Sequence, residues 1–114
     1  MSYVILVVPT PHCIGTPEMT HVGPGVDYHR ALLVECLIFL RDNGFDQAVT
    51  RHEQQLPKAM AHVDFYQLDS RDSDAGYLLL DYLLDKGWRL VSTAGTSRGH
   101  GNSEVDRLIF TLEK

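Results

Sequence analysis

Tyr3 to Val8 is a continuous apolar run rich in β-branched residues, the pattern of a buried strand. Pro9 and Pro11 end it. From Cys13 to Val26 the chain is punctuated by Gly15, Pro17, Gly23, Pro24 and Gly25, which predicts turns with room for a short hairpin between them. Asp27 can cap a helix over Tyr28 to Asn43, with Gly44 as its left-handed stop. The apolar positions of that helix, among them Ala31, Leu32, Leu33, Val34, Cys36, Leu37, Ile38, Phe39 and Leu40, run nearly all the way round it. A helix with so little polar face needs cover on more than one side, from a compact core or from another subunit.

Phe45 to Leu56 is polar and predicts a short amphipathic helix ending before Pro57. Ala61, Val63 and Phe65 then alternate with His62, Asp64 and Tyr66, a strand with one wet face. The run from Asp69 to Asp74 offers helix N-caps and acidic groups suited to a helix N-terminus. A second helix is expected over Asp74 to Lys86, with Tyr77, Leu80 and Leu84 on one stripe, Leu79 and Leu83 beside it, and Gly87 as its stop. Trp88 to Ala94 and Val105 to Leu112 read as two further strands, joined by the glycine-rich segment Gly95 to Glu104. The order strand, helix, strand, helix, strand, strand predicts an α+β fold in one domain spanning residues 1–114: a mostly antiparallel sheet with two main helices packed on one face.

Composition narrows the function classes. With 44% hydrophobic and 22% charged residues the chain of 114 residues is an ordinary globular one. Its formal net charge is −5 and it has no cluster of Lys and Arg, which argues against nucleic acid and anionic membrane as partners. No apolar run reaches the ~18 residues of a membrane span, and the N-terminus lacks the basic start of a signal peptide. Cys13 and Cys36 do not make a disulfide framework and read as reduced thiols of a cytoplasmic protein.

Candidate chemistry is sparse. Gly95, Gly99 and Gly101 do not have the spacing of a phosphate loop and precede a strand, although Arg98 and His100 could meet an anion there. The histidines His12, His21, His29, His52, His62 and His100 show no metal-ligand spacing, so no metal or cofactor is expected. His12 and Cys13 resemble a thiol–base pair, but adjacent strand residues point to opposite faces. Asp81 and Asp85 lie four apart on one helical face, a mildly unfavourable pair that marks either a solvated stripe or a partner surface. The lack of a catalytic constellation favours a binding or regulatory module over an enzyme.

The run Leu80-Asp81-Tyr82-Leu83-Leu84-Asp85-Lys86-Gly87-Trp88-Arg89-Leu90-Val91-Ser92-Thr93-Ala94-Gly95 resembles the GTP cyclohydrolase I feedback regulatory protein family. That family has a Leu-Asp pair in its helix, then Gly, an aromatic residue, Arg, two aliphatics, Ser, and a Gly after two more residues. Phe65-Tyr66 is similar to a Phe-Tyr pair opening the family's preceding strand, and Leu108-Ile109-Phe110-Thr111-Leu112 to its last strand. Tyr3 and Gly15 also match, within a Gly15 to Gly23 stretch similar to the family's Gly-Pro-Thr-Met-Val-Gly. The resemblance covers both ends of the chain; residues from about Asp27 to Met60 and the loop after Gly95 are longer here.

The resemblance implies a non-catalytic regulator. It implies a homopentameric ring seated on GTP cyclohydrolase I and mediating feedback regulation: inhibition by tetrahydrobiopterin and activation by phenylalanine. Such a ring acts by binding two enzyme states with different affinity. The family's phenylalanine site maps to Thr10, His12, Asp106 and Phe110, with Asp106 replacing an amide and Thr10 an aliphatic residue. Contact with the enzyme maps to Ile14, Gly15, Thr93 and Gly95. Two alternatives remain beside this reading: a stand-alone oligomeric domain binding an aromatic amino acid or a pterin, and a metal hydrolase using His12, His21 and His100.

Overall fold

Alternation decides the first strand. Val4, Leu6 and Val8 share one face and are fully buried, while Tyr3, Ile5 and Val7 on the other face retain solvent. In a computed structural model of the chain, residues 2–10, 17–23, 26–45, 49–53, 60–66, 72–96 and 107–114 are described. Among them the order is β1 (Tyr3–Pro9), β2 (Glu18–Val22), α1 (Val26–Asp42), β3 (Val49–Glu53), β4 (Met60–Tyr66), α2 (Asp72–Asp85), β5 (Arg89–Thr96) and β6 (Arg107–Glu113). The strands form one sheet in the order β3-β4-β2-β1-β6-β5, and every neighbouring pair is antiparallel.

The fold is α+β, and the two main helices and the four strands read from the sequence occur in the expected order, although α1 begins at Val26, so that Asp27 lies within its first turn instead of capping it. Two further strands join them. β2 arises within the Gly/Pro-punctuated stretch, where it pairs with β1 instead of forming a hairpin of its own. β3 replaces the amphipathic helix expected over Phe45 to Leu56. Its sequence, Val-Thr-Arg-His-Glu, is polar, in keeping with a strand at the sheet edge that among the described residues pairs only with β4.

Both helices lie on one face. Leu6 stands opposite Met19 and Phe110, and Val4 opposite His21 and Leu112. Directly opposed residues share a face, so these side chains form the floor of a single core. On α1, Leu32, Leu33, Cys36 and Leu40 face that floor, and the Cys36 Sγ lies 4.0 Å from the Met19 Sδ. On α2 the buried stripe is Ala75, Leu79 and Leu83, whereas Tyr77 and Leu84 of the expected stripe are exposed. Gly76 brings α2 against β1: a Cβ there would stand 2.5 Å from the Val8 Cγ1.

Both helices end in the same cap. Gly44 and Gly87 have φ of 95° and 96°. The Phe45 N–H donates to the Leu40 carbonyl at 2.9 Å and the Gly44 N–H to Arg41 at 3.3 Å. Trp88 donates to Leu83 at 3.0 Å and Gly87 to Leu84 at 3.2 Å. These are paired Schellman motifs, each followed by a buried aromatic residue, Phe45 or Trp88. Nothing lies within 4 Å of a Cβ built on Gly44. Gly44→Ala therefore isolates the backbone term, and we expect it to lower stability by about 1 kcal/mol in urea unfolding. Gly44→Asn should lose less, because asparagine visits this region more readily.

Candidate functional site

β5 is the edge strand at the far side of the sheet from β3, and all its residues are exposed. Its register places Thr93 opposite Phe110 and Gly95 opposite Leu108, so both lie on the helix-bearing face. The helical layer stops short of β5, which leaves a shelf. Its floor is Phe110, nearly buried, with the half-buried Leu108 beside it. Tyr77 of α2 forms one wall, its ring centroid 6.4 Å from that of Phe110 in an edge-on arrangement. Thr93 and Gly95 form the outer lip. Among the described residues no strand pairs with the outer side of β5, which makes it a sheet edge.

Four of the eight residues expected from the sequence at a ligand or partner site fall on described positions. Phe110, Thr93 and Gly95 come together on this shelf. Thr10 follows the end of β1 and is buried, one residue beyond the pair formed by Pro9 and Arg107. His12, Ile14, Gly15 and Asp106 lie outside the described residues, as do His100 and the glycine-rich segment 97–104. Tyr77 belongs to the shelf and was not singled out from the sequence. Its place on an apolar helical stripe gave it the signature of a core residue.

The shelf offers the exposed Tyr77 ring packed on the buried Phe110, the hydroxyls of Tyr77 and Thr93, and a strand edge with a glycine. That set can hold a small planar or aromatic ligand by edge-to-face contact and main-chain hydrogen bonds. Among the described residues no group of three or more His, Cys, Asp or Glu side chains is placed to hold a metal ion. His21 is fully buried within the core, its ring 5.6 Å from that of Trp88 and edge-on to it. Burial, followed by the nearby Glu35 carboxylate, pushes the Cys36 thiol up to about 12. At neutral pH it is a protonated core side chain and not a nucleophile. No described helix is long and apolar enough to cross a membrane.

No protein-family model and no curated protein matches the chain. Among solved structures it is similar to one described as a conserved kinetoplastid-specific protein from Trypanosoma cruzi. The two share 16% identity with a TM-score of 0.58, over 100% of this chain and 96% of that one. The likeness is one of fold, extending over the whole length of both chains.

Proposed function

We propose that this chain is a non-catalytic, oligomeric regulatory protein that docks on GTP cyclohydrolase I or a related enzyme and carries a ligand signal to it. The observation that carries this reading is the juxtaposition of the buried Phe110 with the exposed Thr93 and Gly95 across the β5–β6 pair. Residues matched to the family's ligand site and to its enzyme contact thus become neighbours. A ligand seated against Phe110 would alter the surface presented by β5, which is the coupling such a regulator requires.

Oligomerisation is supported by the sheet face turned away from the helices. Ile5, Val7 and Ile109 lie there half-buried beside the exposed Tyr3, with no covering layer among the described residues. The substrates of regulation on this reading are two states of the enzyme, and phenylalanine and tetrahydrobiopterin are the effectors to be tested. The protein itself is cytoplasmic, takes no cofactor and breaks no bond.

Light scattering of the purified chain should give a multiple of the 12.8 kDa protomer, a pentamer being the expected state. Its addition to GTP cyclohydrolase I should change the enzyme's kinetics in an effector-dependent way. Thr93→Lys, an exposed change at the lip, should weaken that effect and leave the assembled mass unaltered. Enzyme kinetics that are the same with and without the chain, at every effector concentration, overturn the proposal.

A second reading rests on the residues matched to the family's ligand site. Asp106 and Thr10 differ in type from the family's residues, which favours a domain that binds an aromatic amino acid or a pterin by itself. A thermal shift with such a ligand in the absence of enzyme, combined with no effect on the enzyme, selects this reading over the first.

A further inference from the structure

The outer surface of the helical layer carries a feature that the shelf on β5 does not use. Val34 and Ile38, one turn apart on α1, are 54% and 50% exposed. With Ala31, Phe39 and Tyr82 they line an open trough of about 690 Å³. Phe39 and Tyr82 also line an adjoining depression of about 580 Å³ that continues toward Leu78 and Leu84 on α2. Their rings pack at a centroid distance of 4.2 Å and make the ridge between the two hollows. The rim is acidic: Glu35 and Asp42 border the first hollow, Asp81 and Asp85 the second. Among the described residues of these two helices and their caps the cations are Arg30, Arg41 and Lys86, three against seven carboxylates, and the Lys86 Nζ lies 5.4 Å from the centre of the Tyr82 ring.

We propose that this trough is the docking site for a basic amphipathic helix of a partner protein. The charges choose the occupant. A second copy using the same face would set Glu35, Asp42, Asp81 and Asp85 against their own counterparts, in a chain already carrying a net charge of −5. An anionic lipid surface meets the same repulsion. A segment with Lys or Arg flanking an apolar stripe satisfies both parts, covering Val34 and Ile38 while its cations reach the rim.

The walls choose the secondary structure. They are side chains of two helices, with no open strand edge among the lining residues, so recognition runs through side-chain ridges and not main-chain pairing. Glu35 and Tyr82 line the same hollow, with the Glu35 side chain exposed. A carboxylate has lone pairs for an incoming cation. The inference is independent of the regulatory reading and concerns a different face of the molecule.

The test is fluorescence anisotropy with three labelled peptides on the full chain: a Leu/Lys amphipathic helix, a scrambled peptide of the same composition, and the helix with Lys replaced by Glu. The first should bind and the other two should not. The double variant Val34→Gln with Ile38→Gln should weaken binding by about tenfold or more. Asp42→Lys with Asp81→Lys should weaken it as well, and added salt should do the same to the parent chain. All four substituted positions are exposed, and circular dichroism should confirm that the variants keep the fold. Failure of the amphipathic peptide to bind, or equal binding of the scrambled one, overturns the proposal. So does a change in assembled mass for the double Gln variant, which would make this face a contact between copies.

Discussion

Leu83→Ala should lower the unfolding free energy by about 3 kcal/mol, the middle of the range for a buried leucine truncated in a packed core. Leu83 is fully buried and occupies the third position of the α2 stripe formed with Ala75 and Leu79. Its carbonyl accepts the Trp88 N–H that closes the cap, so it is tied to the chain on both sides of Gly87. The surrounding Leu79, Leu112 and Trp88 are themselves buried and leave little freedom to collapse into the space. Urea unfolding should show a lower midpoint with an unchanged slope, since the area exposed on unfolding hardly alters. A loss below about 1 kcal/mol would mean that the helix can settle onto the sheet and that the packing around Leu83 is loose.

Gly76→Ala should be destabilising by about 2 kcal/mol, against the usual direction for a helical glycine. In an exposed helix interior this change is worth roughly 0.5–1 kcal/mol of added stability, because alanine costs less backbone entropy. Here the new Cβ would meet Val8 Cγ1 at 2.5 Å and Cγ2 at 2.8 Å. Valine has no flexible end to move aside, and Val8 sits fully buried in a central strand. The helix must lift off β1, which opens the contact beneath the start of the shelf. The expected fall in melting temperature is about 8 °C, at roughly 4 °C per kcal/mol for a domain of this size. The double variant Gly76→Ala with Val8→Ala should regain part of the loss if the clash is the cause. If Gly76→Ala alone proves neutral, α2 does not pack as closely as this geometry requires.

These two positions show where sequence reading worked and where it stopped. Gly44 and Gly87 were legible as helix stops because each follows an apolar-periodic run, and both adopt the positive φ that such a stop needs. Gly76 was not legible as a packing residue. It lies inside a helical pattern, and only the approach of α2 to Val8 gives it a role. The stripe on α2 was placed a fraction of a turn away from the buried one, because leucines at positions 78, 79, 80, 83 and 84 leave the direction of burial ambiguous. β3 was missed since a short, charged edge strand has the same local pattern as a polar helix. Its pairing with β4 decides the matter.

The apolar circumference of α1 needs cover on more than one side, and the structure divides that requirement. Leu32, Leu33, Cys36 and Leu40 are covered by the sheet, while Val34 and Ile38 remain half in solvent. Thr93 and Gly95 enter through a resemblance in the run Leu80 to Gly95; the final hairpin is legible in the sequence, but not the register that sets Thr93 opposite Phe110. That adjacency comes from the β5–β6 register, including the irregularity between Leu90 and Ser92 that sets which residues face the helices.

By itself the amino-acid order determined the local structure: the apolar run that makes β1, the alternation that makes β4, the helix stops at Gly44 and Gly87, and an α+β class with both helices on one side. Those follow from periodicity and backbone preferences that act within a few residues. The tertiary structure alone decided which residues meet across the sheet, how closely α2 lies on β1, and that β5 stays uncovered beside a shelf of aromatic residues. Such relations depend on strand register and on the reach of the helical layer, and no short-range preference encodes either.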